Sequence, residues 1–289
     1  MSARPASEKP LILGDLAAKK AAGEPIVMVT AYDHPGAQIA DAAGVDMVLV
    51  GDSAAMTVLG YDSTVPVTVD EMIMLTKAVR RGLHRALLVA DLPFGSYEGS
   101  DAEAIATAQR FVKETGCDLV KIERGGTSVD RARALVAAGI PVVGHVGLTP
   151  QTATSLGGYR AQGRSADAAL DLIDSALALQ AAGCALIVVE AVPSEVTAAL
   201  VPLLDIPVIG IGAGPAADGQ VLVFHDLLGI YPGPAAKFVK RYADLRTAAI
   251  DGVTAYASEV RSGAYPAPEH GYGMPEGEAD RLRELLAGR

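Results

Sequence analysis

At 289 residues, half of them hydrophobic and with a mean hydropathy of +0.30, the chain can bury a large core. Its 24 Lys and Arg against 34 Asp and Glu give a net charge of −10, which argues against the clustered basic face that nucleic-acid binding needs. No run approaches the ~20 apolar residues of a membrane span. Trp is absent and aromatics make up only 4%, so the core must come from Ala, Val, Leu and Ile, the residues of parallel sheets covered on both faces. Cys117 and Cys184 have neither CxxC nor zinc-knuckle spacing; they read as small buried hydrophobes, with a reducing compartment as the natural setting. The start, MSARPASEKP, lacks an apolar signal-peptide core, so a soluble, cytoplasmic protein is expected.

In chain order, residues 1–8 are expected to form a flexible N-terminus. Eight short apolar runs, rich in β-branched residues, then read as strands: Pro25–Ala31, Asp46–Gly51, Ala86–Ala90, Asp118–Ile122, Pro141–Gly144, Ala185–Val189, Ile206–Ile211 and Gln220–Phe224. Helical stretches lie between them. Thr68 with Glu71 and Ser100 with Glu103 fit the capping box. Ser165 and Ser194 suit N-caps, and Pro35 suits a first helical turn. Gly44, Gly116, Gly139 and Gly183 suit left-handed helix ends. Strand, loop and helix repeated eight times predict parallel βαβ units closed into a (β/α)8 TIM barrel, of about 250 residues in typical cases. The first strand–helix turn also lacks GxGxxG, against a dinucleotide fold. The barrel is expected over residues 9–263, ending in a helix over Lys237–Gly263. A C-terminal extension with a helical tail follows over 264–289: a Pro/Gly-rich break, Ala264–Pro275, leads to a charged helix, Glu276–Gly288, with Leu282, Leu285 and Leu286 on one side. Its destination is open: a neighbouring subunit, its own barrel, or solvent.

Two loops are long, Ser53–Val67 after strand two and Val146–Arg164 after strand five, and both follow strand C-termini, where barrel enzymes do their chemistry. Five consecutive strands, two to six, also end in chemistry-bearing residues: Asp52-Ser53, Asp91, Lys121 with Glu123, His145 and Glu190. Alone, Asp52 or Asp91 could cap a helix, Lys121 could form a structural ion pair, His145 could sit in the core and Glu190 could face solvent. Together they describe a site. Asp52, Asp91 and Glu123 are hard oxygen donors suited to Mg²⁺, and a lone imidazole argues against zinc. A metal held this way would polarise a carbonyl and acidify the neighbouring C–H, with Glu190 as base and Lys121 as a fixed positive charge. At strand seven, Gly212-Ala-Gly214 could admit a ligand to the backbone or simply form a tight turn.

Several stretches resemble the ketopantoate hydroxymethyltransferase family: Val29-Thr-Ala-Tyr-Asp33, Val50-Gly-Asp-Ser-Ala54, Asp91-Leu-Pro-Phe-Gly95, Val120-Lys-Ile-Glu123, Pro141 to Pro150, Gly157-Gly-Tyr159, Val189-Glu190 and Ile209 to Gly214. Each is weak alone; their order over about Lys9 to Gly263 is specific. The resemblance implies a barrel enzyme that moves a hydroxymethyl group from 5,10-methylenetetrahydrofolate to 3-methyl-2-oxobutanoate, giving 2-dehydropantoate for pantothenate synthesis by Mg²⁺-assisted enolisation. It further implies Asp52, Asp91 and Glu123 for Mg²⁺, and Asp52, Ser53, Asp91 and Lys121 for the keto acid. Glu190 is implied as proton acceptor and a homodecamer as the assembly. His145 is placed among the substrate-binding residues without a fixed role. Arg160 and Arg164 could meet the folate's glutamate tail or be solvated loop residues. The rivals are a Mg²⁺-dependent oxo-acid lyase or phosphonomutase of the related barrel group, typically with a loop cysteine, and a catalytically silent barrel. Cys117 and Cys184 fall before strands, away from the mouth, and no member of the charged set is missing.

Overall fold

Eight parallel strands pair in chain order and close through the contact of the last with the first. They are β1 (Ile26–Thr30), β2 (Met47–Val50), β3 (Leu87–Asp91), β4 (Leu119–Glu123), β5 (Val142–Gly147), β6 (Leu186–Glu190), β7 (Val208–Ile211) and β8 (Gly219–Leu222). The computed structural model describes residues 9–123, 127–233 and 235–289; the expected flexible N-terminus, residues 1–8, lies outside these. The helices of the barrel unit are α1 (Leu13–Ala22), α2 (His34–Ala42), α3 (Ala54–Thr57), α4 (Val69–Arg80), α5 (Asp101–Thr115), α6 (Ser128–Ala137), α7 (Ala166–Ala181), α8 (Ser194–Leu200) and α9 (Phe224–Leu227). The eightfold repeat lapses once. Gly212–Asp218 joins β7 to β8 without a helix, being short and broken by glycine and proline.

Side chains alternate across each strand, and this divides the core in two. Ile26 and Met28, Met47 and Leu49, Leu87 and Val89, Leu119, Val143, Leu186 and Val188, Ile209 and Ile211, and Val221 fill the barrel interior. The alternate residues, such as Val48, Leu88, Val120, Ile187 and Val208, pack outward with the helix faces that carry Met72, Phe111, Leu135 and Leu179. Leu16 of α1 joins the interior cluster and closes the barrel's lower end. Its burial contributes roughly 1.5–3 kcal/mol. Lys19 and Lys20 anchor that helix to Asp46 and Asp218, at 3.0 and 2.7 Å.

Local signals place the helices well. Thr68 and Glu71 form the full capping box. Ser100 accepts the Glu103 N–H, but only this half of the second box forms. Ser165 caps α7, Asp33 caps α2 with Pro35 in the first turn, and Gly44, Gly116, Gly139 and Gly183 all take positive φ. Ser194 is not a cap. Proline fixes the backbone at Pro193, which takes the cap position, and Ser194 opens α8 instead.

The chain divides into two compact units, residues up to Tyr242 and Ala243–Arg289. The helix expected over Lys237–Gly263 spans Leu245–Ser262 (α10) and belongs to the second unit, because Asp244, accepting the Thr247 N–H, starts it later. A short tail helix, α11 (Glu278–Ala287), follows in the same unit, with Leu282, Leu285 and Leu286 exposed. Among the described residues no helix is long and apolar enough to cross a membrane.

Gly147 ends β5 with φ 97°, and a Cβ there would collide with the Glu190 carbonyl oxygen and lie 3.0 Å from Val192 Cγ1. Gly147→Ala is expected to destabilise the protein by about 2–5 kcal/mol, combining left-handed backbone strain with overpacking. Urea unfolding would read this directly, and an unchanged midpoint would contradict it.

Candidate active site at the barrel mouth

The inward-facing positions that carry Leu and Val low in the barrel carry charge at the top. On β3 the series Leu87, Val89 continues to Asp91, and on β4 Leu119 is followed by Lys121 and Glu123. On β5 Val143 is followed by His145, and on β6 Leu186 and Val188 lead to Glu190. On β2 the next inward position is Gly51. A Cβ there would lie 2.9 Å from Ser53 Oγ and 3.5 Å from Asp91 Oδ2, so the missing side chain makes room for both. β5 extends to Gly147, three residues past the expected end, so His145 stands inside the strand. β-branched Val142, Val143 and Val146 keep the chain extended through the intervening glycine and histidine.

Lys121 Nζ lies 2.7 Å from Asp91 Oδ1 and 3.7 Å from Glu123 Oε1, with all three groups buried. The other Asp91 oxygen accepts the Asp52 N–H at 3.0 Å. His145 bridges two carboxylates, with Nδ1 3.3 Å from Glu123 Oε1 and Nε2 3.2 Å from Glu190 Oε2. Ser53 Oγ pairs with the buried Tyr32 hydroxyl at 2.8 Å. Neither aspartate caps a helix: Ser53 holds the N-cap position of α3, and Asp91 is the last residue of β3.

Burial would pull Lys121 down, but Asp91, then Glu123 and Asp52, hold it well above the ordinary lysine value. Burial and Lys121 likewise oppose protonation of His145, yet hydrogen bonding to Glu123 and Glu190 carries it up to about 9. That shift favours the imidazolium form, and Lys121 Nζ lies 3.3 Å from His145 Nδ1. Burial would raise Glu123, but its bond with His145 and the Lys121 charge bring it below the usual range. Asp52 goes the other way. Burial, then Asp91 and Glu123, push it up to about 8.

Two further buried residues complete the cluster: Tyr97, in the loop after β3, and Gln151, in the 3-10 turn Pro150–Thr152 after β5. Neither type stands out in sequence, and their only signal is a place in the loops that follow charged strands. Arg160 and Arg164 are exposed. A surface depression of about 450 Å³ beside Arg164 and the start of α7 touches none of the cluster. Gly212 and Gly214 face Phe238 and Ser194, which a Cβ at either would strike, so they serve a packed turn. Cys117 and Cys184 are buried just ahead of β4 and β6, and burial pushes their thiols up to about 11 and 12. They are inert, which disfavours a loop-cysteine lyase mechanism.

The donor set fits a divalent cation. Asp52 Oδ2 is buried without a hydrogen-bond partner, and four carboxylates face one ammonium and one imidazolium. Among the described residues no three His, Cys, Asp or Glu side chains are placed to hold a metal ion as a group. Mg²⁺ does not need such a group, since it is bound through one or two carboxylates with waters and substrate oxygens.

A closed eightfold barrel with a buried acid–lysine–histidine cluster on its strand C-termini defines an enzyme of the (β/α)8 class. The family profile described as ketopantoate hydroxymethyltransferase matches residues 11–268, and the chain belongs to that family. It is similar to the 3-methyl-2-oxobutanoate hydroxymethyltransferase of Moorella thermoacetica, 53% identical over 260 residues, covering 90% of this chain and 97% of that protein. The Geobacillus kaustophilus protein of the same name is 51% identical over 259 residues, with coverage of 90% and 93%. Among solved structures, phosphonopyruvate hydrolase with oxalate and Mg²⁺ aligns with TM-score 0.58 at 12% identity, over 95% and 98% of the two chains. A 2,3-dimethylmalate lyase of the PEP mutase/isocitrate lyase superfamily aligns with TM-score 0.57 at 16% identity, over 97% and 100%. Those two show the shared fold.

Asp52 is raised from its ordinary 3.8 in the folded protein, so its contribution to stability is present in acid and is lost as pH rises toward about 8. In EDTA, Asp52→Asn is therefore expected to gain more stability over the wild type at about pH 8 than at about pH 5. Thermal unfolding at the two pH values checks this, and an equal difference at both would contradict it.

Proposed function

We propose that this enzyme transfers a hydroxymethyl group to 3-methyl-2-oxobutanoate, with 5,10-methylenetetrahydrofolate as donor and 2-dehydropantoate as product. The membership of the family, at about half identity to relatives named for this activity, supports the reaction. The observation that carries the chemistry is the His145-linked pair of carboxylates beside a buried ammonium. Asp52 and Asp91 would hold Mg²⁺ from β2 and β3, with Glu123 contributing negative charge from β4. Bound there, the metal supplies Lewis acidity that polarises the ketone and makes the C3–H more acidic.

The protein's own groups do the rest. Lys121 and the Ser53 hydroxyl receive the keto acid's carboxylate and carbonyl oxygens, and the Lys121 charge favours the developing enolate. Glu190 accepts the C3 proton. It is the cluster's least buried carboxylate, with 17% of its side chain exposed, so it meets the mouth while the others stay behind it. For His145 the role proposed is a positioning one. Its two ring nitrogens couple Glu190 to Glu123, orienting the base toward the substrate. C3 then bonds to the donor's methylene carbon, water provides the hydroxyl, and tetrahydrofolate leaves. We place the enzyme in the cytoplasm, as a homodecamer, by analogy with the family.

The wild type is expected to exchange the C3 proton of 3-methyl-2-oxobutanoate with D₂O in a Mg²⁺-dependent reaction, followed by NMR. Glu190→Gln should slow this by about 10²–10⁴-fold, the usual worth of a general base. Exchange at the wild-type rate in that variant would remove Glu190 from the role.

A further inference from the structure

Gln151 and Tyr97 lie behind the charged cluster, each only 4% exposed, and a polar pair so deeply buried must have all its hydrogen-bonding groups used. Their bonds form one directed chain. The Glu123 backbone N–H donates to the Tyr97 hydroxyl at 3.2 Å, and that hydroxyl donates to Gln151 Oε1 at 2.7 Å. Gln151 Nε2 donates to the Leu92 carbonyl at 3.0 Å. The carbonyl can only accept, so the amide nitrogen must face it and the amide oxygen must face Tyr97. The amide has one orientation.

One of the proposed metal-site carboxylates, Glu123, then meets this residue. The Gln151 backbone N–H donates to Glu123 Oε2 at 3.0 Å, which turns Glu123 Oε1 toward Lys121 and His145. One turn after β5 is thereby tied to the ends of β3 and β4. Pro150 opens that turn, and the Thr149 and Thr152 hydroxyls, 2.7 Å apart, brace it from below.

We propose that Gln151, locked by the Tyr97 hydroxyl, is a positioning residue that aims the Glu123 carboxylate at a divalent cation. This rests on the reading that Glu123, with Asp52 and Asp91, holds one. A network that only glued the loop to the barrel would change stability and leave metal affinity alone. One that orients ligands sets the affinity, because outer partners of ligating carboxylates typically cost 10–100-fold in metal binding when removed.

The test is calorimetric titration of metal-stripped, full-length protein with Mg²⁺, in the wild type, Tyr97→Phe, Gln151→Leu and Asp52→Asn. Tyr97→Phe keeps the ring and removes only the hydroxyl, so it reports even if the glutamine variant fails to fold. Both Tyr97→Phe and Gln151→Leu are expected to weaken the Mg²⁺ Kd by roughly 10-fold or more. The C3-proton exchange rate should recover toward that of the wild type as Mg²⁺ is raised to saturation. A wild-type Kd in either folded variant, whatever its melting temperature, overturns the positioning role while the metal site stands. A wild-type Kd in Asp52→Asn overturns the metal reading itself, and the positioning role with it.

Discussion

Lys121 places an ammonium ion in the barrel's interior, 2.7 Å from Asp91 and 3.7 Å from Glu123, with no room for bulk water around it. Everything at the mouth is arranged with respect to that charge. Removing one partner of such a buried pair typically costs 3–5 kcal/mol, because the remaining charge is stranded in low dielectric. The arrangement is also unbalanced, with more carboxylate than the lysine and histidine can neutralise. The imbalance falls on Asp52, whose carboxyl is driven toward the neutral form and whose Oδ2 lacks a partner. A site tuned in this way is poor as a structural ion pair and well suited to an incoming cation and an anionic substrate.

The fold supplies this site through a simple rule of alternation. The inward rows of the barrel begin with aliphatic side chains that stack into a dry floor, and the rows of β3 to β6 go on to charge two residues later. The floor excludes water from beneath Lys121, which strengthens every electrostatic interaction above it. Two glycines make the geometry possible at the top. Gly51 leaves space for Ser53 and Asp91, and Gly147 allows β5 to run close beside the Glu190 backbone. Ala191, immediately after the proposed base, takes φ 48° without being glycine. Left-handed backbone of this kind is held only where surrounding structure enforces it, and here it occurs at the chemical centre.

The barrel and its charged ring were legible in sequence because both depend on local pattern: β-branched runs of strand length, glycine at helix ends, and a polar residue at the close of strands two to six. What stayed hidden depends on tertiary proximity. Tyr97 and Gln151 are ordinary loop residues until the β3 and β5 loops fold over the same carboxylate. The role proposed for His145 needed the distances to Glu123 and Glu190, since a histidine in a strand reads equally well as core. Gly212 and Gly214 became turn residues only once Phe238 and Ser194 were seen against them. The start of the late helix slipped from Lys237 to Leu245 because an apolar periodicity does not mark its own beginning, whereas the Asp244 cap does.

The central claim is that this cluster, with a divalent cation, joins a one-carbon unit to a 2-oxo acid. The most direct measurement is tetrahydrofolate release from 5,10-methylenetetrahydrofolate, followed with and without 3-methyl-2-oxobutanoate and with and without EDTA. Release that requires the keto acid, stops in EDTA and returns on adding Mg²⁺ is the predicted result. Release that ignores the keto acid, or persists unchanged in EDTA, would contradict the account.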